Sequence, residues 1–173
     1  MKTKLFLVTV MCVIALSINA QSKNEKPFKI GAGAIIGLPT GDASDIFNLT
    51  YGIDLMGEYT VAPSTALTLS VGYVEFSKKS EYKDMLDALG ITVKTGLIPV
   101  LAGVKYDFSE KIYGSAQIGI SFATESDGGS AFTFAPGIGY KISDQFDLML
   151  KYQSASKDGG NTSFLGLRAG FTF

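Results

Sequence analysis

Eight runs longer than ten residues, in which apolar and polar side chains alternate, follow one another along this chain. The connections between them alternate in length. Past the N-terminus no apolar run approaches the roughly eighteen residues of a membrane-spanning helix. Together these observations predict an all-β fold, an eight-stranded antiparallel up-and-down transmembrane β-barrel. Alternation with period two suits a strand whose faces meet different surroundings. Runs of this length exceed the roughly five or six residues of globular strands and match the nine to eleven, tilted near 45°, that cross a bilayer core.

The N-terminus precedes that pattern. Residues 1–20 contain Lys2 and Lys4, an apolar run from Leu5 to Leu16, and the small-residue end Ser17-Ile18-Asn19-Ala20. These are the three regions of a secretory signal peptide that is cleaved on export. Cys12 follows Val10-Met11 inside the apolar run, which rules out a lipoprotein cysteine. Residues 21–27 form a polar N-terminal tail on the periplasmic side, and 28–173 form the barrel domain.

Strand one (28–38) opposes Phe28, Ile30, Ala32, Ala34 and Ile36 to Lys29, Gly31, Gly33, Ile35 and Gly37. Strand two (49–61) sets Tyr51, Ile53, Leu55, Tyr59 and Val61 against Gly52, Asp54, Met56, Glu58 and Thr60. Strands three (65–77) and four (93–107) follow the same alternation. Strand five (111–124) opposes Ile112, Ala116, Ile118, Ile120 and Phe122 to Tyr113, Ser115, Gln117 and Ser121. After strand six (130–142), strand seven (145–156) sets Phe146, Leu148, Leu150 and Tyr152 against Asp147, Met149, Lys151 and Gln153. Strand eight (163–173) is the clearest, with Leu165, Leu167, Ala169, Phe171 and Phe173 on one face and Gly166, Arg168, Gly170 and Thr172 on the other. Pro99 and Pro136 fall inside strands four and six, where each removes a ladder hydrogen bond, so a bulge or register irregularity is expected at both.

Connections 39–48, 78–92, 125–129 and 157–162 are the longer set, and 62–64, 108–110 and 143–144 are tight. Short periplasmic turns with longer external loops produce this asymmetry and place both termini in the periplasm. The aromatics then fall in two belts. Phe28, Tyr59, Tyr106, Tyr140, Phe146, Phe171 and Phe173 lie near the periplasmic rim, and Tyr51, Tyr73, Phe122, Phe132 and Tyr152 near the external one. A soluble barrel with its apolar face inward would instead crowd every ring into one small cavity.

The inward face carries Lys29, Asp54, Glu58, Lys105, Asp107, Lys141, Asp147, Lys151 and Arg168. Four acids and five bases in a narrow lumen are expected to pair, because an unpaired buried charge is costly. Arg168, Lys29 and Glu58 sit on three consecutive strands once strand eight closes on strand one. The glycines at 31, 33 and 37 leave room for Arg168 to reach Glu58 or Asp54 and plug the lumen. In the loop 78–92, Ser80 caps a predicted short helix from Glu81 to Leu89 that stops at Gly90. Its stripe of Tyr82, Met85, Leu86 and Leu89 is either a lid on the barrel mouth or a candidate surface contact.

Composition narrows the chemistry. The chain has no His, and its one Cys lies in the signal. Disulfides, Cys/His zinc sites and a Ser-His-Asp triad are excluded from the mature chain, and no cofactor or metal site is expected. Without Lys2 and Lys4, 13 basic residues face 16 acidic ones, so nothing favours nucleic acid. Gly31-Ala32-Gly33-Ala34-Ile35-Ile36-Gly37 is one residue too long for a dinucleotide loop and precedes no helix pattern.

The signal, the eight strands, the Ile98-Pro99-Val100 and Gly103-Val104-Lys105-Tyr106-Asp107-Phe108 stretches and the Leu167-to-Phe173 end resemble small Gram-negative outer-membrane β-barrel domain proteins. In plan the chain is similar to the OmpA-type transmembrane domain and to OmpX. The resemblance implies a location in the lipid of the outer membrane, and a C-terminal signal, Phe171 and Phe173, read by the barrel assembly machinery. Peptidoglycan attachment of the OmpA kind is not expected. Known small-barrel lipid enzymes of this plan use an imidazole base, which this chain lacks, so no enzyme is expected. Eight strands enclose a lumen just wide enough for side chains. The expectation is a monomeric envelope-structural or adhesin-like surface protein with a closed lumen. The alternative is a porin-like narrow small-molecule channel, or a ligand-binding barrel, using the mouth between 39–48 and 78–92.

Overall fold

The computed structural model describes residues 27–81, 89, 95–125 and 128–173. Eight strands form one closed barrel in chain order, each antiparallel to its neighbours. They are β1 (Phe28–Thr40), β2 (Phe47–Ala62), β3 (Thr65–Lys78), β4 (Gly96–Asp107), β5 (Ile112–Ala123), β6 (Ser130–Lys141), β7 (Phe146–Lys157) and β8 (Gly160–Thr172). One helical turn, α1 (Ala43–Ile46), lies between β1 and β2.

The stagger can be followed residue by residue. Starting at Ile30, the Cα partners run through Gly57, Leu69, Ala102, Ile118, Phe134, Ser154 and Ser163 and return to β1 at Thr40. The circuit therefore closes ten residues beyond its start, and the strands must tilt to absorb that shear.

Phe28, Phe173 and the connections 63–64, 108–111 and 142–145 lie at one end, the end expected to be periplasmic. At the other end the structure revises three expectations. The connection expected over 157–162 is a two-residue turn, Asp158-Gly159, with φ of 50° and 87°. Asp-Gly supplies the left-handed backbone at both positions that a tight hairpin requires, so β7 and β8 extend outward instead of yielding a loop. The first external connection likewise contracts to 41–46 because β1 and β2 run further than the alternation suggested. β4 begins at Gly96 instead of 93, while 93 and 94 lie outside the described residues.

The prolines interrupt pairing without shifting it. Between β3 and β4 the ladder passes from Val71↔Val100 to Val74↔Leu97, skipping the pairs around Pro99 but keeping the register. Between β6 and β7 it passes from Phe134↔Ser154 to Gly137↔Lys151, skipping those around Pro136. On their other sides both prolines are paired, Pro99 with Ser121 and Pro136 with Ala116. A residue's N–H and C=O point toward the same neighbour, so each proline loses hydrogen bonding on one side only. The expected bulges are absent there. The register shifts that do occur lie at the ends of the β2–β3 ladder.

The alternation sorts as expected. Ile53, Leu55, Leu69, Ile118 and Ile138 are exposed on the outer face, with Tyr51, Tyr59, Tyr106, Tyr140 and Phe146 toward the rims. This surface would be untenable in water and is what a hydrocarbon environment requires. On that face an added Cβ at Gly57 would meet the Phe28 ring, and one at Gly114 the Phe108 ring, so two rim aromatics lie over strand glycines.

Candidate functional site

The lumen has two chemically different halves. In the periplasmic half, charged and amide side chains reach past the adjacent strand to the next one. Arg168 on β8 crosses β1 at Gly33 and donates from Nε to both Asp54 oxygens at 2.9 Å. Its Nη2 lies 2.8 Å from Oδ1 of the same carboxylate. A Cβ on Gly33 would collide with both partners, so the glycine is the passage for this contact. Arg168 Nη1 also stands 3.7 Å from Asp147, which accepts a 2.5 Å hydrogen bond from the Tyr113 hydroxyl. Tyr113 on β5 reaches β7 across Gly139, where a Cβ would strike its ring.

The same construction repeats around the wall. Lys105 on β4 donates to both Glu58 oxygens on β2 at 2.9 and 3.0 Å, and its ammonium sits 4.3 Å from the Tyr113 ring centroid. Lys141 on β6 donates to Asp107 on β4 at 2.7 Å. Gln117 on β5 passes Gly103 and donates to Thr68 and Ser70 on β3, both at 3.2 Å. The space enclosed by Lys29, Glu58, Asp147 and Arg168 is about 10 Å³, room for about one water.

The predicted charge set therefore resolves into specific partners. Of the two acids in reach, Arg168 takes Asp54, and Glu58 goes to Lys105. Lys29 is exposed at the rim and forms no ion pair among the described residues. Lys151 is buried, with no ion pair among the described residues, and interacts at longer range with Asp54 and Arg168. No group of three His, Cys, Asp or Glu among the described residues is placed to hold a metal.

In the external half the filling is aromatic. Phe164 on β8, Phe76 on β3 and Phe47 at the start of β2 form a chain of rings with centroids 5.9 and 5.4 Å apart. Phe76, Phe164, Val74 and Ile35 are all buried, with Leu97 packed against them. Glycines again make the room, since a Cβ at Gly37 or Gly166 would meet the Phe164 ring. The sequence reading missed this cluster. Parity held the signal, because Phe164 has the same strand parity as Arg168, and Phe76 the same as Thr68 and Ser70.

Of the predicted contact stripe, Tyr82, Met85 and Leu86 lie outside the described residues, and Leu89 is exposed. Phe171 and Phe173 stand at the periplasmic end with ring centroids 5.2 Å apart, and Phe171 also packs on Phe146 at 4.8 Å.

The model of the outer membrane protein beta-barrel domain family matches residues 8–173. The chain belongs to this family. As a member of the outer membrane protein beta-barrel family it is an outer-membrane protein. The fold is similar to Ail, the attachment invasion locus protein of Yersinia pestis, at TM-score 0.54 and 14% identity, covering 84% of this chain and 97% of that one. Ail has also been determined in complex with the heparin analogue sucrose octasulfate. The N-terminal β-barrel domain of Pseudomonas aeruginosa OprF is similar at TM-score 0.54 and 14% identity, covering 84% of this chain and 97% of that one. Neisserial surface protein A gives TM-score 0.54 and 14% identity, with coverage of 85% and 97%. No curated protein sequence matches the chain significantly.

Proposed function

We propose that this family member serves as an envelope-structural or adhesive surface barrel, monomeric and without enzymatic activity, whose lumen conducts nothing. The observation that carries the reading is the filled lumen, with cross-strand ion pairs through its periplasmic half and buried rings along one side of its external half. A barrel whose periplasmic half leaves room for about one water has its ends and its outer face left for contact with other molecules. The fold it has in common with Ail, whose name assigns attachment to that protein, supports an adhesive role. Residues 1–20 act as a cleaved signal, and the outward Phe171 and Phe173 present the C-terminal strand to the assembly machinery. Phe173→Ala is expected to lower the amount of folded, heat-modifiable barrel in cells.

Reconstitution in planar bilayers tests the closed lumen. The expected result is no discrete openings; regular single-channel steps would replace this reading with the narrow-channel alternative. Adhesion of expressing cells to a surface, compared with cells lacking the protein, tests the contact role.

A further inference from the structure

The sorting of the wall into an apolar outside and a polar inside has one charged exception among the described residues. Of the charged side chains in the eight strands, only Glu75 has outward parity, following Leu67, Leu69, Val71 and Tyr73 along the lipid-facing side of β3. It stands at the external aromatic belt, paired across the ladders with Tyr51 on β2 and with Gly96 on β4. A carboxylate turned toward a membrane costs stability, and closing the barrel does not require one there.

The surroundings of this carboxylate are organised. Tyr73 donates its hydroxyl proton to Glu75 Oε2. Thr95 Oγ1 lies 2.8 Å from Glu75 Oε1 and 2.7 Å from the Phe76 carbonyl, so its one proton is also held inside the cluster. Thr124 Oγ1, just past the end of β5, donates to Gly96 O at 3.1 Å. Gly96 is the centre. A Cβ there would stand 2.7 Å from Tyr73 Oη, 2.8 Å from Thr124 Oγ1 and 2.9 Å from Glu75 Oε2. Three oxygens from three segments thus converge around a bare Cα, over which a ligand group can approach.

Donor and acceptor capacity selects the chemistry. With their protons directed inward, Tyr73 Oη, Thr124 Oγ1 and Glu75 Oε2 have lone pairs left to offer. Such a cradle suits a cation bearing N–H groups and disfavours a phosphate or sulfate. A primary ammonium supplies three donors for three oxygens, whereas a quaternary choline group supplies none. Position selects the source, because beside the belt tyrosines Tyr51 and Tyr73, 50% and 40% exposed, the neighbouring medium is the headgroup layer. We propose that Glu75, Tyr73 and Thr124 bind the primary ammonium of a lipid headgroup in the leaflet at the external end. The proposal goes beyond the surface-contact reading and does not depend on it.

The test uses the full barrel in nanodiscs of phosphatidylethanolamine, its N-methyl and N,N-dimethyl derivatives and phosphatidylcholine in equal parts. All carry the same acyl chains, and a chelator excludes divalent ions. Native mass spectrometry reads which lipid stays bound as the disc is stripped. Retention is expected to fall with each added methyl group, the ethanolamine lipid being favoured over the choline lipid at least about threefold. Glu75→Gln is expected to abolish the preference. Gly96→Ala, whose methyl enters the cradle, and Thr124→Val are expected to reduce it, while Ser156→Ala on the outer face of β7 leaves it unchanged. Heat-modifiable migration checks that each variant is folded. Should Glu75→Gln or Gly96→Ala not fold, Thr124→Val and the wild-type retention order still decide. Equal retention of all the lipids, a preference that survives in folded Glu75→Gln, or an undiminished one in Thr124→Val would overturn the proposal. So would a preference that appears only in Lys94→Ala, since a lysine of the chain itself would then be the ammonium in the cradle.

Discussion

The periplasmic and external halves of the lumen fill the same cylinder by opposite chemistry. Below, the filling is directional: Arg168, Lys105, Lys141, Tyr113 and Gln117 each reach a partner two strands away, and Arg168 and Tyr113 converge on Asp147. Above, the ring packing is non-directional, with centroids 5.4 to 5.9 Å apart, beside a buried hydrogen bond from Thr133 to Ser121. Both halves use glycine for access, at Gly33, Gly103 and Gly139 in one and at Gly37 and Gly166 in the other. The difference teaches that these fillings fail differently. A buried ion pair adds little net stability when whole, because desolvation offsets the attraction, but leaves a costly orphan when halved. A ring cluster loses stability with the area and volume removed.

The largest effect separates these directly. Arg168→Leu is expected to cost about 3–5 kcal/mol, since it strands Asp54 beneath a nearly closed surface. Urea unfolding from lipid vesicles, followed by heat-modifiable migration, measures it. Adding Asp54→Leu to that variant is expected to recover at least half of the loss; no recovery would mean that shape, not charge, governs this half. Phe164→Ala is expected to cost about 3 kcal/mol in the same assay, and no second substitution in the periplasmic half should rescue it.

Smaller effects sharpen the contrast. Gly33→Ala places a methyl where Arg168 meets Asp54 and is expected to cost about 1–3 kcal/mol. Its cost should largely vanish in the Arg168→Leu background, which a double-mutant cycle reads. Glu58→Gln weakens a pair whose side chains are 13% and 18% exposed, for an expected loss of about 1 kcal/mol. Lys141→Ala removes the most hydrated pair, 29% and 30% exposed, and is expected to cost well under about 1 kcal/mol, declining further as salt is raised. A larger effect there than at Glu58 would contradict the gradient of burial along the lumen.

The two halves also differed in how far residues alone disclosed them. Charges on an inward face announce themselves, because Asp54, Glu58, Lys105 and Arg168 have no other reason to alternate with leucine and tyrosine. Which acid takes Arg168 was open, because Asp54 and Glu58 have the same parity on β2 and only the closed barrel's stagger selects between them. The rings were hidden by their abundance. Among 12 phenylalanines, half of them on the outer belts, an inward Phe164 differs only by one step of parity. Strand ends were least legible near Asp158-Gly159, where polar residues that read as a loop continue the ladder above the membrane. The prolines misled for a related reason, since a missing N–H affects one neighbouring strand and leaves the other untouched.

The contact between Arg168 and Asp54 joins residues 114 positions apart, from the last strand to the second, across the junction where β8 meets β1. The other polar contacts described that pass over a strand join β2 to β4, β3 to β5, β4 to β6 and β5 to β7, strands already next but one in the open sheet, with separations of 34 to 49. An unclosed intermediate can form those and must leave this guanidinium and carboxylate hydrated. Sealing the cylinder and drying its central charge are then a single late step, and a chain stalled before it would carry a wet, ionised seam into the bilayer.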